Sequence, residues 1–301
     1  MSLPRGLQRL AVANSLIREL ALNIAGVLGS VDYLRSLHFN PYPWQVEALK
    51  PEKRLILNCA RQVGKSTIVA AKTVYKAKYF PKSLCLIVSP SERQSTEMME
   101  KVESFMARDG QLDDLKTDNK LEKRFRNGSR IVALPASEKT IRGFSAPSLI
   151  VIDEASRVSD EMYYALRPMM TGTECELTLM STPFGKRGFF YEAWNSVRWK
   201  RIEVAGSLTE EGEIEDEKEY IKARNFEGIM AWHSPRHTPD FLREELESMG
   251  KWWYSQEYRV KFVEAIDNVF DEEMVKAMFT KEEDIGLSDS LIDNDVEVIN
   301  L

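Results

Sequence analysis

The sequence predicts an α/β fold, a mainly parallel sheet flanked by helices. Three observations carry that expectation. Short runs rich in β-branched residues alternate with helical stretches, most of those runs are apolar throughout, and small polar or charged residues follow directly on their C-terminal ends. A strand covered on both faces needs no apolar/polar alternation, so continuous apolar runs point to a sheet sandwiched between helices.

Taken in order, residues 1–38 read as an amphipathic helical segment. Leu55–Asn58 (LILN) reads as the first strand, followed after Gly64 by a helix to about Tyr79. Leu84–Ser89 (LCLIVS) reads as a second strand with a helix from about Ser91. Arg130–Leu134, Leu149–Ile152, Leu177–Ser181 and Trp199–Val204 read as further strands, enough for at least five in one sheet. After about Phe270 the chain turns acidic and rich in Asp, Ser and Asn, without periodicity. The expected organisation is therefore a helical segment (1–38), one main domain (39–270) and a linker or tail (271–301).

Composition narrows the function classes. A chain of 301 residues that is 43% hydrophobic can bury a substantial core. Cys59, Cys85 and Cys175 lack zinc-ligand spacing and suggest no disulfide framework, which fits a reducing, cytoplasmic setting. No apolar run approaches the roughly 20 residues of a bilayer span, and the opening lacks a signal-peptide pattern, so no membrane partner is expected. The net charge of -6 is the wrong sign for a protein that coats nucleic acid, so any DNA contact must be a local patch. Acidic residues concentrate in Thr209–Tyr220, and basic ones at Lys120–Arg130, Lys186–Arg187 and Arg198–Arg201, where a solvated face is the commoner meaning.

The chemistry begins at Ala60–Thr67 (ARQVGKST), between the first strand and a helix, where a phosphate-binding loop belongs. In such a loop the backbone N–H groups of Arg61, Gln62, Val63, Gly64 and Thr67 face phosphate oxygens, Lys65 bridges β- and γ-phosphates, and the Ser66 hydroxyl ligates Mg²⁺. Cys59 stands where the strict pattern has its first glycine. A surface turn is the ordinary meaning of Gly-Lys-Ser alone; its flanking strand and helix favour a nucleotide site.

Leu149–Ala155 (LIVIDEA) supplies the second piece, an apolar strand that delivers two carboxylates at its C-terminal end, where parallel sheets place ligands. Asp153 is suited to hold Mg²⁺ and Glu154 to orient and polarise an attacking water; a charged helix start is the competing meaning. The strand ending Ser181-Thr182-Pro183 offers two hydroxyls on the same edge to sense the γ-phosphate, or a plain strand-ending turn. Upstream, Asn40–Gln45 (NPYPWQ) places Gln45 to read an adenine edge and Trp44 to stack on the base, or else forms a proline-rich turn around a buried Trp. Arg61 and Arg142 are the candidates to neutralise transition-state charge on the γ-phosphate, Arg61 within its own subunit and Arg142 toward a neighbour's nucleotide.

The order PWQ, ARQVGKST, a Thr-x-Arg-Gly segment (Thr140–Gly143), VIDEA and STP resembles the ATPase portion of tailed-bacteriophage terminase large subunits, over roughly Phe39 to Phe270. Terminases commonly carry Arg-Gln in the phosphate loop and tolerate a missing first glycine, and Tyr254–Tyr258 with Phe262 resembles the stretch that closes their ATPase domain. The resemblance implies a P-loop NTPase of the additional-strand, catalytic-glutamate (ASCE, RecA-like) type with a small C-terminal linker or lid region. It implies ATP and Mg²⁺ as cofactors, and ATP-driven translocation of double-stranded DNA into a procapsid within the host cell cytoplasm. The implied partners are double-stranded DNA, the portal protein, the small terminase subunit and further copies in a homo-oligomeric ring, a pentamer, on the procapsid. No nuclease activity is expected of this chain, because Asp289, Asp293, Asp295 and Glu297 lie in the tail without a following α/β domain. A helicase-like or DNA-remodelling P-loop ATPase shares several of these elements but needs a second RecA-like domain, and a non-catalytic nucleotide-gated module would not need the full acid and Lys set.

Overall fold

The first long apolar run forms strand β1 (Arg54–Cys59), and its neighbours explain why it can be apolar throughout. Leu55, Leu57 and Cys59 lie in a core on one face of the sheet, whereas Ile56 lies in a core on the other. Strands β2 (Leu84–Ser89) and β6 (Leu149–Asp153) divide in the same way: Cys85, Ile87, Leu149 and Val151 face one core, and Leu86, Val88, Ile150 and Ile152 the other. The computed structural model describes residues 29–110, 115–136 and 143–264, together with Ile24.

Among these residues nine strands make one sheet in the order β3-β4-β5-β2-β6-β7-β1-β8-β9. The remaining strands are β3 (Leu115–Asn119), β4 (Glu122–Phe125), β5 (Arg130–Pro135), β7 (Glu176–Ser181), β8 (Lys200–Ala205) and β9 (Met230–His233). Every pairing from β5 to β9 is parallel, and only β3 with β4 and β4 with β5 are antiparallel. Strand β7 separates β1 from β6, with Asn58 opposite Ser181 and Asp153 opposite Met180, so the three chemistry-bearing strand ends lie side by side.

One face is covered by α3 (Lys65–Tyr79) and α4 (Glu92–Asp109). The other is covered by α5 (Asp160–Leu166) and α6 (Gly188–Trp194), through Met162, Leu166, Phe189, Phe190 and Trp194. Two short helices precede β1, α1 (Ser30–Ser36) and α2 (Pro43–Leu49); two more, α7 (Glu217–Phe226) and α8 (Pro239–Glu257), flank β9. Local sequence sets several of these boundaries. Ser91 Oγ accepts from Gln94 N at the start of α4, Gly110 at φ 72° stops it, and Thr238 Oγ1 accepts from Phe241 N at 3.3 Å to start α8.

Tyr33 and Leu34 of α1 are fully buried in the main core, and the first compact unit ends at Val263; the boundary drawn at residue 270 lies outside the described residues. The basic cluster Lys120–Arg130 holds β4 and its turns, and Lys123 is buried against Asp118 and Glu103. No described helix is long and apolar enough to cross a membrane, and the three cysteines are free and buried.

Tyr33 ties α1 to the body. Its hydroxyl donates to Asp109 Oδ2 at 2.7 Å, and Lys78 Nζ lies 2.9 Å from both oxygens of the same buried carboxylate. Tyr33→Phe is expected to cost about 2 kcal/mol of unfolding free energy, the range for a buried hydrogen bond to a charged partner. Urea unfolding at unchanged m-value measures it; a loss near zero would mean that Lys78 alone satisfies Asp109.

Candidate active site

The loop 60–64 leaves β1 and enters α3 through two residues with positive φ, Gln62 (56°) and Gly64 (95°). Cys59 is fully buried at the strand end and is not among the positive-φ residues, so the backbone there needs no glycine. Thr182 Oγ1 donates to Cys59 O at 3.0 Å, and Ala60 N donates to Val204 O at 2.9 Å, so the loop is pinned to β7 and β8. Val63 is buried beneath it, while Ser66 and Thr67 open α3 half-buried, with the free N–H groups and positive dipole end of a 15-residue helix around them.

Two carboxylates meet this loop. Lys65 Nζ lies 3.2 Å from Glu154 Oε1, and Ser181 Oγ donates to Glu154 Oε2 at 3.3 Å. Glu154 sits in the left-handed region at φ 46°, ψ 46°, a conformation that costs a non-glycine residue about 1–3 kcal/mol. These partners hold its carboxylate at the loop instead of letting the chain continue as a strand. Ser156 Oγ is 2.7 Å from Ser181 Oγ and donates to Thr182 O at 2.8 Å, which locks the hydroxyl pair at the end of β7 under the acid. Asp153 is buried beside Glu154, accepts from Glu154 N at 3.0 Å, and has its pKa pushed up to about 6 by burial and then by the Glu154 charge.

A buried Asp153 beside a half-buried Glu154, with one lysine between them and the loop, is a cation-seeking arrangement. Among the described residues no group of three or more His, Cys, Asp or Glu side chains could enclose a metal. Mg²⁺ needs no such enclosure, since it keeps several waters and is commonly bound by one or two carboxylates together with substrate phosphates. The site offers carboxylates from Asp153 and Glu154 and hydroxyls from Ser66, Ser181 and Thr182.

A strap from the far end of the chain closes the other side. Asn58 Nδ2 donates to Val260 O at 2.8 Å, Arg61 N to Glu257 O at 3.3 Å, and Gly206 N to Tyr258 O at 2.7 Å. Arg61 forks onto the buried Glu257 carboxylate, with Nη2 to Oε1 at 3.3 Å, and so its side chain is held against the strap. Gln45 is buried, its Oε1 accepting from Tyr42 N at 3.0 Å.

His237 also lies under the strap, its ring tilted against Phe241 and edge-on to Tyr258. Burial and the Arg236 charge hold its pKa below the ordinary imidazole value, against the pull of Arg61's backbone and Glu245. A depressed folded pKa means that unfolding takes up a proton below about pH 6.5, so this contribution is present above that pH and is lost as pH falls. His237→Phe is expected to flatten the decline of Tm between pH 7 and 5; an unchanged slope would assign that decline to other groups.

A sequence model described as "Terminase large subunit, T4likevirus-type, N-terminal" matches residues 56–277. This chain belongs to that terminase large-subunit family. The fold agrees with solved terminases. The ATPase domain of the Thermus phage P74-26 large terminase superposes with a TM-score of 0.58 at 18% identity, covering 77% of this chain and 97% of that one. A thermophilic bacteriophage's large terminase in complex with ADP superposes with a TM-score of 0.53 at 11% identity, and covers 77% of this chain and 57% of that one. No curated protein matches the chain in sequence.

Within this terminase fold the structure brings together Lys65, Glu154, Asp153, Ser181, Thr182 and the loop 60–67. It separates Trp44 from them: that side chain is 1% exposed in the core, and base stacking by it is corrected to a packing role. The exposed aromatic next to Gln45 is Tyr42. Arg142 lies outside the described residues. Sequence reasoning missed His237 and Ser156, and it placed Glu257 in the closing stretch Tyr254–Tyr258 without giving it a partner.

Proposed function

We propose that the chain is the ATP-hydrolysing motor domain that drives double-stranded viral DNA into a procapsid. One observation supports this most: Lys65 of the phosphate loop and Glu154 of the acidic strand meet at 3.2 Å across β7, which sets a phosphate-binding cation beside a water-activating acid. ATP phosphates recruit Lys65, which releases Glu154 to orient and activate water from its Ser181-supported position. Ser66 and Asp153 would hold Mg²⁺, which when bound neutralises charge on the β- and γ-phosphates. Ser181 and Thr182, tied to both Glu154 and Cys59, report the state of the phosphate to β1. Gln45 addresses the nucleotide from the base side. Arg61 is held ready on Glu257, and Arg142 reaches a neighbour's nucleotide.

The partners follow from this reading: DNA gripped without base preference, a portal, a small terminase subunit, and a pentameric ring in the host cell cytoplasm. The test measures ATP turnover with duplex DNA and portal rings, separately and together. The expected result is slow basal turnover that rises with both, and DNA binding that weakens steeply with salt. Turnover indifferent to DNA and portal would overturn the motor reading.

A further inference from the structure

The groups placed so far around the phosphate loop come from β1, α3, β6 and β7, with Gln45 of α2 and the strap at the end of α8. On the opposite flank stands a cation with nothing assigned to it. Strand β9 ends at His233, and residues 234–238 lead into α8. That connection is firmly held. Ser234 N donates to Ala205 O at 2.7 Å, Arg236 N to Ser234 Oγ at 3.3 Å, and His237 is buried with its ring 5.7 Å from Phe241 and 5.4 Å from Tyr258. Between these anchors Arg236 is exposed, and its guanidinium makes no hydrogen bond or ion pair among the described residues.

It nevertheless lies against the loop. A Cβ built on Gly64 would come 3.5 Å from Arg236 Nη1 and 3.2 Å from Gln45 Nε2. The neighbouring arginine is accounted for, because Arg61 is forked onto Glu257. Gln45 has spent its acceptor on Tyr42 N, which leaves its amide N–H groups. Two side-chain donors therefore converge on the glycine of a loop whose own offerings are backbone N–H groups. Donors gathered without an acceptor fit an anion, and a guanidinium fork matches phosphate oxygens better than any other side chain.

We propose that Arg236 binds the phosphate chain of ATP, closing on it from the β9–α8 connection opposite Lys65. This rests on the loop 60–67 being the ATP site. A polyphosphate seated there takes Lys65 on one side and Arg236 on the other. Because α8 begins at this connection and ends at Glu257, the partner of Arg61, the same contact ties the strap to the bound nucleotide.

The experiment uses the full chain as Arg236→Ala, Arg236→Lys and Lys65→Ala. ATP, ADP and inorganic tripolyphosphate each displace a fluorescent ADP, with steady-state turnover and thermal unfolding measured in parallel. Arg236→Ala is expected to weaken ATP and tripolyphosphate by the same factor, about tenfold or more. KM should rise alike while kcat stays within about twofold, and Arg236→Lys, which keeps the charge but not the fork, should recover part of the loss. The unfolding temperature should not move, since the side chain holds nothing in the protein. Unchanged ATP affinity in Arg236→Ala beside weakened binding in Lys65→Ala would overturn the role of Arg236 and leave the site standing. A loss for ATP without one for tripolyphosphate would place the guanidinium on the base and overturn the phosphate contact. A lowered unfolding temperature would mark a structural role instead, and parental affinity in both Arg236→Ala and Lys65→Ala would overturn the site itself.

Discussion

Glu154→Gln is expected to lower ATP turnover by about a hundred- to ten-thousandfold, the usual worth of a positioned general base, while ATP affinity stays within a few-fold of parental. The substitution is nearly isosteric, so the left-handed turn at φ 46° and the contact with Ser181 are kept. What it removes is the charge that activates water and the charge that holds Lys65 at 3.2 Å. The second loss favours binding, because Lys65 no longer has to leave a carboxylate for the phosphates. The expected signature is tight binding with lost turnover, read by single-turnover hydrolysis and nucleotide displacement. Mixing this variant with Arg142→Ala tests the arrangement of the ring. Each variant is inactive alone, and recovery of turnover in the mixture is expected if Arg142 serves the neighbouring subunit. A Glu154→Gln enzyme that hydrolyses ATP at the parental rate would show that another group activates the water.

Lys65→Ala is expected to weaken ATP and ADP by about a hundredfold, corresponding to about 3 kcal/mol for truncating one partner of a desolvated charge pair. The ammonium is largely buried, and its loss also leaves Asp153 and Glu154 adjacent with no cation between them. The variant should therefore bind divalent ions and nucleotide in a changed balance, with the defect largest for ATP, whose γ-phosphate has lost its bridge. Isothermal titration with ADP and with a non-hydrolysable ATP analogue measures both. Equal, small losses for the two nucleotides would mean that Lys65 contacts neither β- nor γ-phosphate.

The parts of the fold that were legible in the sequence are those that burial forces to be apolar. Strands β1, β2, β6 and β7 have a core on each face, so their composition announces them. The hairpin strands β3 (LKTDN) and β4 (EKRF) lie at the sheet edge and satisfy charges with one another, as Lys123 of β4 does with Asp118 of β3, so no apolar run marks them. Strand β9 (MAWH) is four residues long and too short to show a period. The phosphate loop and acidic strand were legible because each is a local motif placed after a strand. The pairing of the strap with the loop was not, because Arg61 and Glu257 are 196 residues apart and nothing near either one names the other. Trp44 could have been read as core from Ala48 four residues on, with Gln45 and Leu49 repeating that spacing, all four buried on one side of α2. Cys59 in place of a glycine departs from the motif's letters, but it stands at a strand end where positive φ is not required.

The account turns on the Lys65–Glu154 contact marking an ATP site, and a structure with Mg²⁺ and a non-hydrolysable ATP analogue tests that directly. The predicted result is phosphate density on the loop 60–67, with Lys65 Nζ moved from Glu154 to the β- and γ-phosphates and Glu154 turned toward a water in line with the γ-phosphorus. Nucleotide bound elsewhere on the sheet, or bound at the loop with the Lys65–Glu154 pair intact, would contradict it.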